Sequence, residues 1–94
     1  MRNAWTTQAA WIAIIQKYRS CCVYCGAEFH WMTLTKDHLL PRSRGGKHGN
    51  NIAPACKPCN TGKGNLTPRE YAAVLRVRGQ TPAFLLPASL WAEP

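Results

Sequence analysis

Ninety-four residues carry twelve Lys and Arg against four Asp and Glu, giving a net charge of +8 and a pI near 9.7. A chain this short forms one domain with a small core that calls for a staple, and its charge is the footprint of a nucleic-acid binder without saying which nucleic acid. The longest uncharged run, residues 3–16, is too short and too polar to span a bilayer, and no apolar stretch ends in a small-residue cleavage site, so neither membrane insertion nor an export signal is expected.

Thr6 or Thr7 can cap a first helix, expected over about residues 7–19, whose apolar Trp11, Ile14, Ile15 and Tyr18 recur at i, i+3, i+4, i+7 and make a packing stripe. Cys22 and Cys25 follow as CVYC, with Gly26 to let the chain turn tightly, and Cys56 and Cys59 repeat the spacing as CKPC. Two Cys-x-x-Cys pairs offer four soft thiolates at the bite of a tetrahedral structural zinc. Cys21 could chelate with Cys25 instead, but its three-residue gap does not match the second pair, which leaves it a bystander. His30 is a conceivable substitute ligand that four thiolates make unnecessary. Five cysteines are an odd number at chelating spacing, which reads as a reduced cytosol and not as a secreted disulfide framework.

Trp31 to His38 is rich in Thr and in aromatic or branched residues and is expected to form a strand that Pro41 stops. Arg42 to Asn51 is a basic loop with three glycines, and Asn51 to Ala55 returns as a second strand. A short helix should begin at Lys57 or Pro58 and end early at Gly62 and Gly64. Cys56, Cys59, Asn60 and Lys63 lie on one face of it, the face that meets the hairpin. Thr67-Pro68-Arg69-Glu70 is a capping box for a helix over about residues 68–78, with Tyr71, Val74 and Leu75 inward and Gly79 as the stop. Arg76 and Arg78 suit the negative end of its dipole or a DNA contact equally well. The tail, residues 80–94, carries Phe84, Leu85, Leu86, Leu90 and Trp91 between prolines and should pack back over the core, with a docking strip for a partner as the rival reading.

The phrases CVYCG, TKDHLLPRSRGG, NNIAPACKPCN and TGKGN resemble the HNH nuclease signature in its variant with Asn in third place, across residues 22–65. The resemblance implies an α+β fold: a zinc-stapled ββα-metal (His-Me) finger core over residues 22–65, flanked by the N-terminal helix and by the C-terminal helix and tail, all one domain over residues 1–94. It implies a metal-dependent endonuclease that hydrolyses DNA phosphodiester bonds. His38 would be the general base, a task that its ordinary pKa suits at neutral pH. Asp37 and Asn60 would hold a hard divalent ion, Mg²⁺ or Mn²⁺ in preference to nickel or zinc, because Asn replaces an imidazole. Asn51 would tie the loop and help to orient the histidine. Successive strand residues face opposite ways, so Asp37 and His38 can share one phosphate only if the strand breaks or twists there, and Leu39-Leu40-Pro41 is the expected break.

Arg42, Arg44, Lys47 and Lys63 are candidate contacts to DNA phosphates, and His48 is either a phosphate contact or an exposed loop residue. The expected partner is DNA, double-stranded, with genome packaging or DNA mobility in a phage or bacterium as the implied setting and the bacterial cytoplasm as the location. The competing reading is a non-catalytic zinc module that binds DNA or protein. It shares the zinc, the charge and the fold, and only the Asp37/His38/Asn60 set separates the two.

Overall fold

The structure is a computed structural model that describes residues 7–46 and 51–93. Helix α1, Gln8–Lys17, is capped by Thr7, whose hydroxyl accepts from Ala10 N, and it ends where Arg19 and Ser20 take left-handed backbone angles. Trp11 and Ile15 from the expected stripe are buried, with Ile14 and Tyr18 packed beside them. A small loop then brings Cys21 opposite Glu28, with Cys22 N bonded to Ala27 O and Gly26, at φ 77°, closing the turn onto Cys22 O.

The first strand is shorter than the sequence suggests. β1 spans Thr35–His38, and Trp31–Thr33 winds into one 3-10 turn instead of extending. His30 is the cause. Its ring nitrogen accepts from Met32 N at 3.2 Å and its carbonyl accepts from the Thr33 hydroxyl at 2.8 Å, local bonds that compete with strand pairing. β1 runs antiparallel to β2, Ile52–Ala55, in the register Thr35↔Ala55, Lys36↔Pro54, Asp37↔Ala53 and His38↔Ile52.

Every residue of β2 is buried. Pro54 is tolerated there because its carbonyl points away from β1, to Val23 N at 3.0 Å, so the N–H it lacks would also have faced away from the ladder. Helix α2, Lys57–Lys63, follows β2 directly and stops at Gly64, φ 53°. Helix α3, Pro68–Val77, opens on a complete capping box: the Thr67 hydroxyl accepts from Glu70 N, and Glu70 accepts from Thr67 N.

The core joins Trp11 and Ile15 of α1, Val23 and Tyr24 of the cysteine loop, Ile52, Ala53 and Ala55 of β2, and Tyr71 and Ala72 of α3. Phe84 and Leu86 of the tail complete it, so the tail packs back over the core as expected. Leu85 N bonds Val23 O at 2.8 Å, and the Phe84 ring meets Tyr24 at 4.9 Å and Trp91 at 5.0 Å. Burial of a phenylalanine contributes about 1.5–3 kcal/mol towards holding a segment whose regular structure is one 3-10 turn, Ala88–Leu90. No helix among the described residues is long and apolar enough to cross a membrane.

Candidate active site

Two centres lie on the strand-strand-helix unit. The first is a cluster of thiols. Cys22 and Cys25 from the loop and Cys56 and Cys59 from the start of α2 place their sulfurs within 4.8 Å of one another, with Cys25 and Cys56 at 4.0 Å. Four sulfurs around a zinc ion at about 2.3 Å stand about 3.8 Å apart, so a small inward movement completes the tetrahedron, and the donor set fits zinc. Neither Cys21, which donates to Arg19 O, nor the exposed His30 belongs to the cluster. Burial pushes the Cys22 thiol up, but bonds from the backbone around Cys25, Cys56 and Tyr24 outweigh it and bring Cys22 below its ordinary value. Burial and the neighbouring sulfurs push Cys59 up, as expected of thiols crowded together before a cation joins them.

The second centre is a cavity of about 230 Å³ where the end of β1, the turn after it and α2 meet. Asp37, His38 and Asn60 all line it, together with Lys36, Arg42 and Asn65. Asp37 and His38 both pair regularly with β2, and the strand ends immediately after them at Leu39-Leu40-Pro41, the expected break. They reach a common space because the cavity wraps around the strand's end, where the chain turns at Pro41.

Each side chain is held from a different direction. Asn60 donates its amide nitrogen to the Thr35 hydroxyl at 2.8 Å, and that hydroxyl donates to Ala55 O at 2.7 Å, which fixes the amide and leaves its oxygen as the ligand atom on offer. Asn51 makes a two-point clamp on Leu40, accepting from its N–H at 2.8 Å and donating to its carbonyl at 2.9 Å, while Asn51 O accepts from Leu39 N at 2.8 Å. The segment immediately after His38 is thereby tied to the start of β2. Gly46 closes the same turn, with its N–H on Pro41 O at 2.9 Å and no room for a side chain, because a Cβ would stand 1.7 Å from Leu40 O.

Asp37 is 3% exposed and Lys63 1%. Lys63 Nζ lies 3.4 Å from Asp37 Oδ1 and donates to His38 O at 2.9 Å, and the Tyr24 hydroxyl donates to Asp37 Oδ2 at 2.5 Å. Burial pushes the Asp37 carboxyl up and the Lys63 ammonium down, and each opposes the other's shift by its charge. Lys63 is therefore no surface contact for DNA, as its sequence position suggested, but an internal cation beneath the cavity. Its face of α2 packs on the hairpin, so a side chain there has nowhere else to go.

Of the other expected phosphate contacts, Arg42 stands exposed at the mouth of the cavity. Arg44 instead pairs with Glu70 at the head of α3, tying the turn after β1 to that helix. Lys47 and His48 lie outside the described residues. Lys36 was not anticipated in the sequence. It lines the cavity with its ammonium 5.7 Å from the centre of the Trp11 ring, a cation-π contact across to α1. The alternation of β1 was the available signal, since Lys36 and His38 share a face.

A single carboxylate, one amide oxygen and open space for water fit a divalent cation of the magnesium type, which keeps most of its waters and takes few protein ligands. An imidazole in the same cavity can take a proton from water, and a guanidinium at its mouth can hold a phosphate. The family model described as HNH endonuclease matches residues 22–74, more than half of the chain. No curated protein matches it. Among solved structures, the Type II-C Cas9 enzyme from Actinomyces naeslundii superposes with a TM-score of 0.58 at 24% identity, over 82% of this chain. The chain spans only 10% of the length of that enzyme, and the likeness is one of fold.

Proposed function

The chain belongs to the HNH endonuclease family, and from that membership we propose that it hydrolyses DNA phosphodiester bonds with His38 as general base and a divalent ion held by Asp37 and Asn60. The observation that carries this reading is the shared cavity: the neighbours Asp37 and His38 of β1 and the distant Asn60 of α2 border one space of about 230 Å³ that opens to solvent beside Arg42. A pure binding module has no need of that convergence.

The ion, Mg²⁺ or Mn²⁺ by the hardness of its two oxygen donors, would supply a positive charge against the transition-state phosphate and the departing oxygen. The remaining work belongs to the chain. His38 takes the proton from the attacking water, a contribution of about 10²- to 10⁴-fold in rate. Asn51 and Lys63 hold the backbone that follows the histidine side chain, through Leu40 and through the His38 carbonyl, so the ring needs less ordering when substrate arrives. Arg42 and Lys36 neutralise phosphate charge at the mouth without reading base identity.

The thiol cluster lies apart from this chemistry and acts as the staple, fixing the head of α2 and so Asn60. The net charge of +8 supports a nucleic-acid substrate, and the family resemblance points to duplex DNA. A bacterial cytoplasm, where thiolates stay reduced, suits both. The test is supercoiled plasmid incubated with zinc-loaded protein and added metal. Relaxed or linear DNA is expected with Mg²⁺ or Mn²⁺ and none after their removal. Absence of cleavage with every divalent ion tried would return the chain to the binding-module reading, and much higher activity with nickel than with magnesium would overturn the ligand assignment.

A further inference from the structure

Tyr24 belongs to the cysteine loop, not to the hairpin, yet the one polar atom of its side chain ends on a residue of the cavity. It is 4% exposed, and its hydroxyl reaches Asp37 Oδ2 at 2.5 Å. The ring is wedged edge-on against Tyr71 of α3 at 5.3 Å and Phe84 of the tail at 4.9 Å, and its own backbone N–H points at Cys22 Sγ, 3.4 Å away. The place of the phenol is thus fixed by three elements: the cysteine loop, α3 and the tail. If packing were its whole purpose, phenylalanine would fill the site without a hydroxyl to satisfy in the core.

Asp37 needs such a fixture. A carboxylate can turn about its last bond, and its other core-side partner, Lys63 at 3.4 Å, is a point charge on a flexible stem that constrains rotation weakly. A rigid phenol at 2.5 Å sets the plane of the carboxylate and so the direction in which it meets the cavity. We propose that Tyr24 is a positioning residue of the nuclease site: its hydroxyl fixes the Asp37 carboxylate and thereby sets the affinity for the divalent ion, linking the cysteine cluster to the catalytic cavity. This rests on the reading of Asp37 as an ion ligand. Tyr24 does not border the cavity and touches neither substrate nor ion.

The experiment compares zinc-loaded wild type, Tyr24→Phe and Asp37→Ala by calorimetric titration with Mn²⁺ alone, and by the Mg²⁺ concentration that gives half-maximal plasmid nicking. Tyr24→Phe is expected to weaken Mn²⁺ binding and to raise the Mg²⁺ requirement about 10- to 100-fold, the usual effect of losing a partner that orients a ligand. The cleavage rate should recover at saturating metal, while zinc content stays at one per chain. Wild-type Mn²⁺ affinity in a folded Tyr24→Phe protein, beside an Asp37→Ala protein that has lost binding, overturns the role of Tyr24 alone. Unchanged binding and cleavage in Asp37→Ala overturn the ligand reading and the inference together. Should Tyr24→Phe fail to fold, the wild type decides: the buried Tyr24 hydroxyl proton, slow to exchange, should shift in its NMR spectrum as Mg²⁺ is added, and a resonance that stays in place contradicts the proposal.

Discussion

Replacing Lys63 with methionine separates two views of this residue that differ in magnitude and in observable. The side chain is 0% exposed and faces an Asp37 side chain that is 4% exposed, with Nζ 3.4 Å from the carboxylate and 2.9 Å from His38 O. Methionine keeps most of the volume, so little of the effect comes from a cavity. What remains is a buried carboxylate without its counter-ion and a buried carbonyl without its donor, a loss of about 3–5 kcal/mol when one partner of a buried pair is removed. For a domain of this size each kcal/mol moves the melting temperature by roughly 4–8 °C, so a drop of at least about 12 °C is expected in zinc-saturated protein followed by circular dichroism. Adding Asp37→Asn to Lys63→Met should restore part of the loss, because it removes the stranded charge. A surface lysine that only holds DNA would change stability by less than about 0.5 kcal/mol and would instead weaken binding in a salt-dependent way. A melting temperature within a degree or two of wild type would refute the buried-pair account.

Cys56→Ser should lose zinc and unfold, since binding worth about 10–16 kcal/mol in finger peptides is part of the folding free energy, while Cys21→Ser should keep one zinc per chain; metal analysis and far-UV circular dichroism check both. Gly46→Ala sets a methyl group 1.7 Å from Leu40 O, the carbonyl that Asn51 clamps, and is expected to cut nicking at least tenfold with duplex affinity largely retained; nicking at the wild-type rate contradicts the role given to that turn. Glu70 is held below the usual carboxylate range by its bond from Arg44 and by the Thr67 N–H. Its contribution is complete above its ordinary value of 4.5 and fades as pH falls through the lower folded value, so the gap in melting temperature between wild type and Glu70→Gln should close in acid and stay open at neutral pH.

Local chemistry made much of this fold legible. Thr67 and Glu70 announce α3 by a pattern four residues long, and the two Cys-x-x-Cys pairs declare their own cluster because the ligand bite is set by the turn. Trp31 to Thr33 shows where such reading fails: the residues favour a strand, but His30 offers the backbone bonds of its own and wins the segment for a 3-10 turn. The cavity was legible in its members and not in its supports. Asp37, His38 and Asn60 stand in recognisable phrases, whereas Tyr24 and Lys63 meet Asp37 across thirteen and twenty-six residues, and no local pattern encodes a contact of that length. Lys63 could still have been placed. It shares a helical face with Cys56 and Cys59, and a face that holds two ligands against the hairpin cannot also lie open to DNA. Arg44 had no such signal, for its pairing with Glu70 depends on where α3 begins in space.

The most direct measurement is the single-turnover rate of DNA cleavage by His38→Ala beside wild type, both zinc-loaded, at saturating Mg²⁺. A fall of about 10²- to 10⁴-fold with melting temperature and duplex affinity unchanged is the result expected of a lost general base. Cleavage by His38→Ala at the wild-type rate would show that some other group activates the water, and the assignment of the cavity would have to be abandoned.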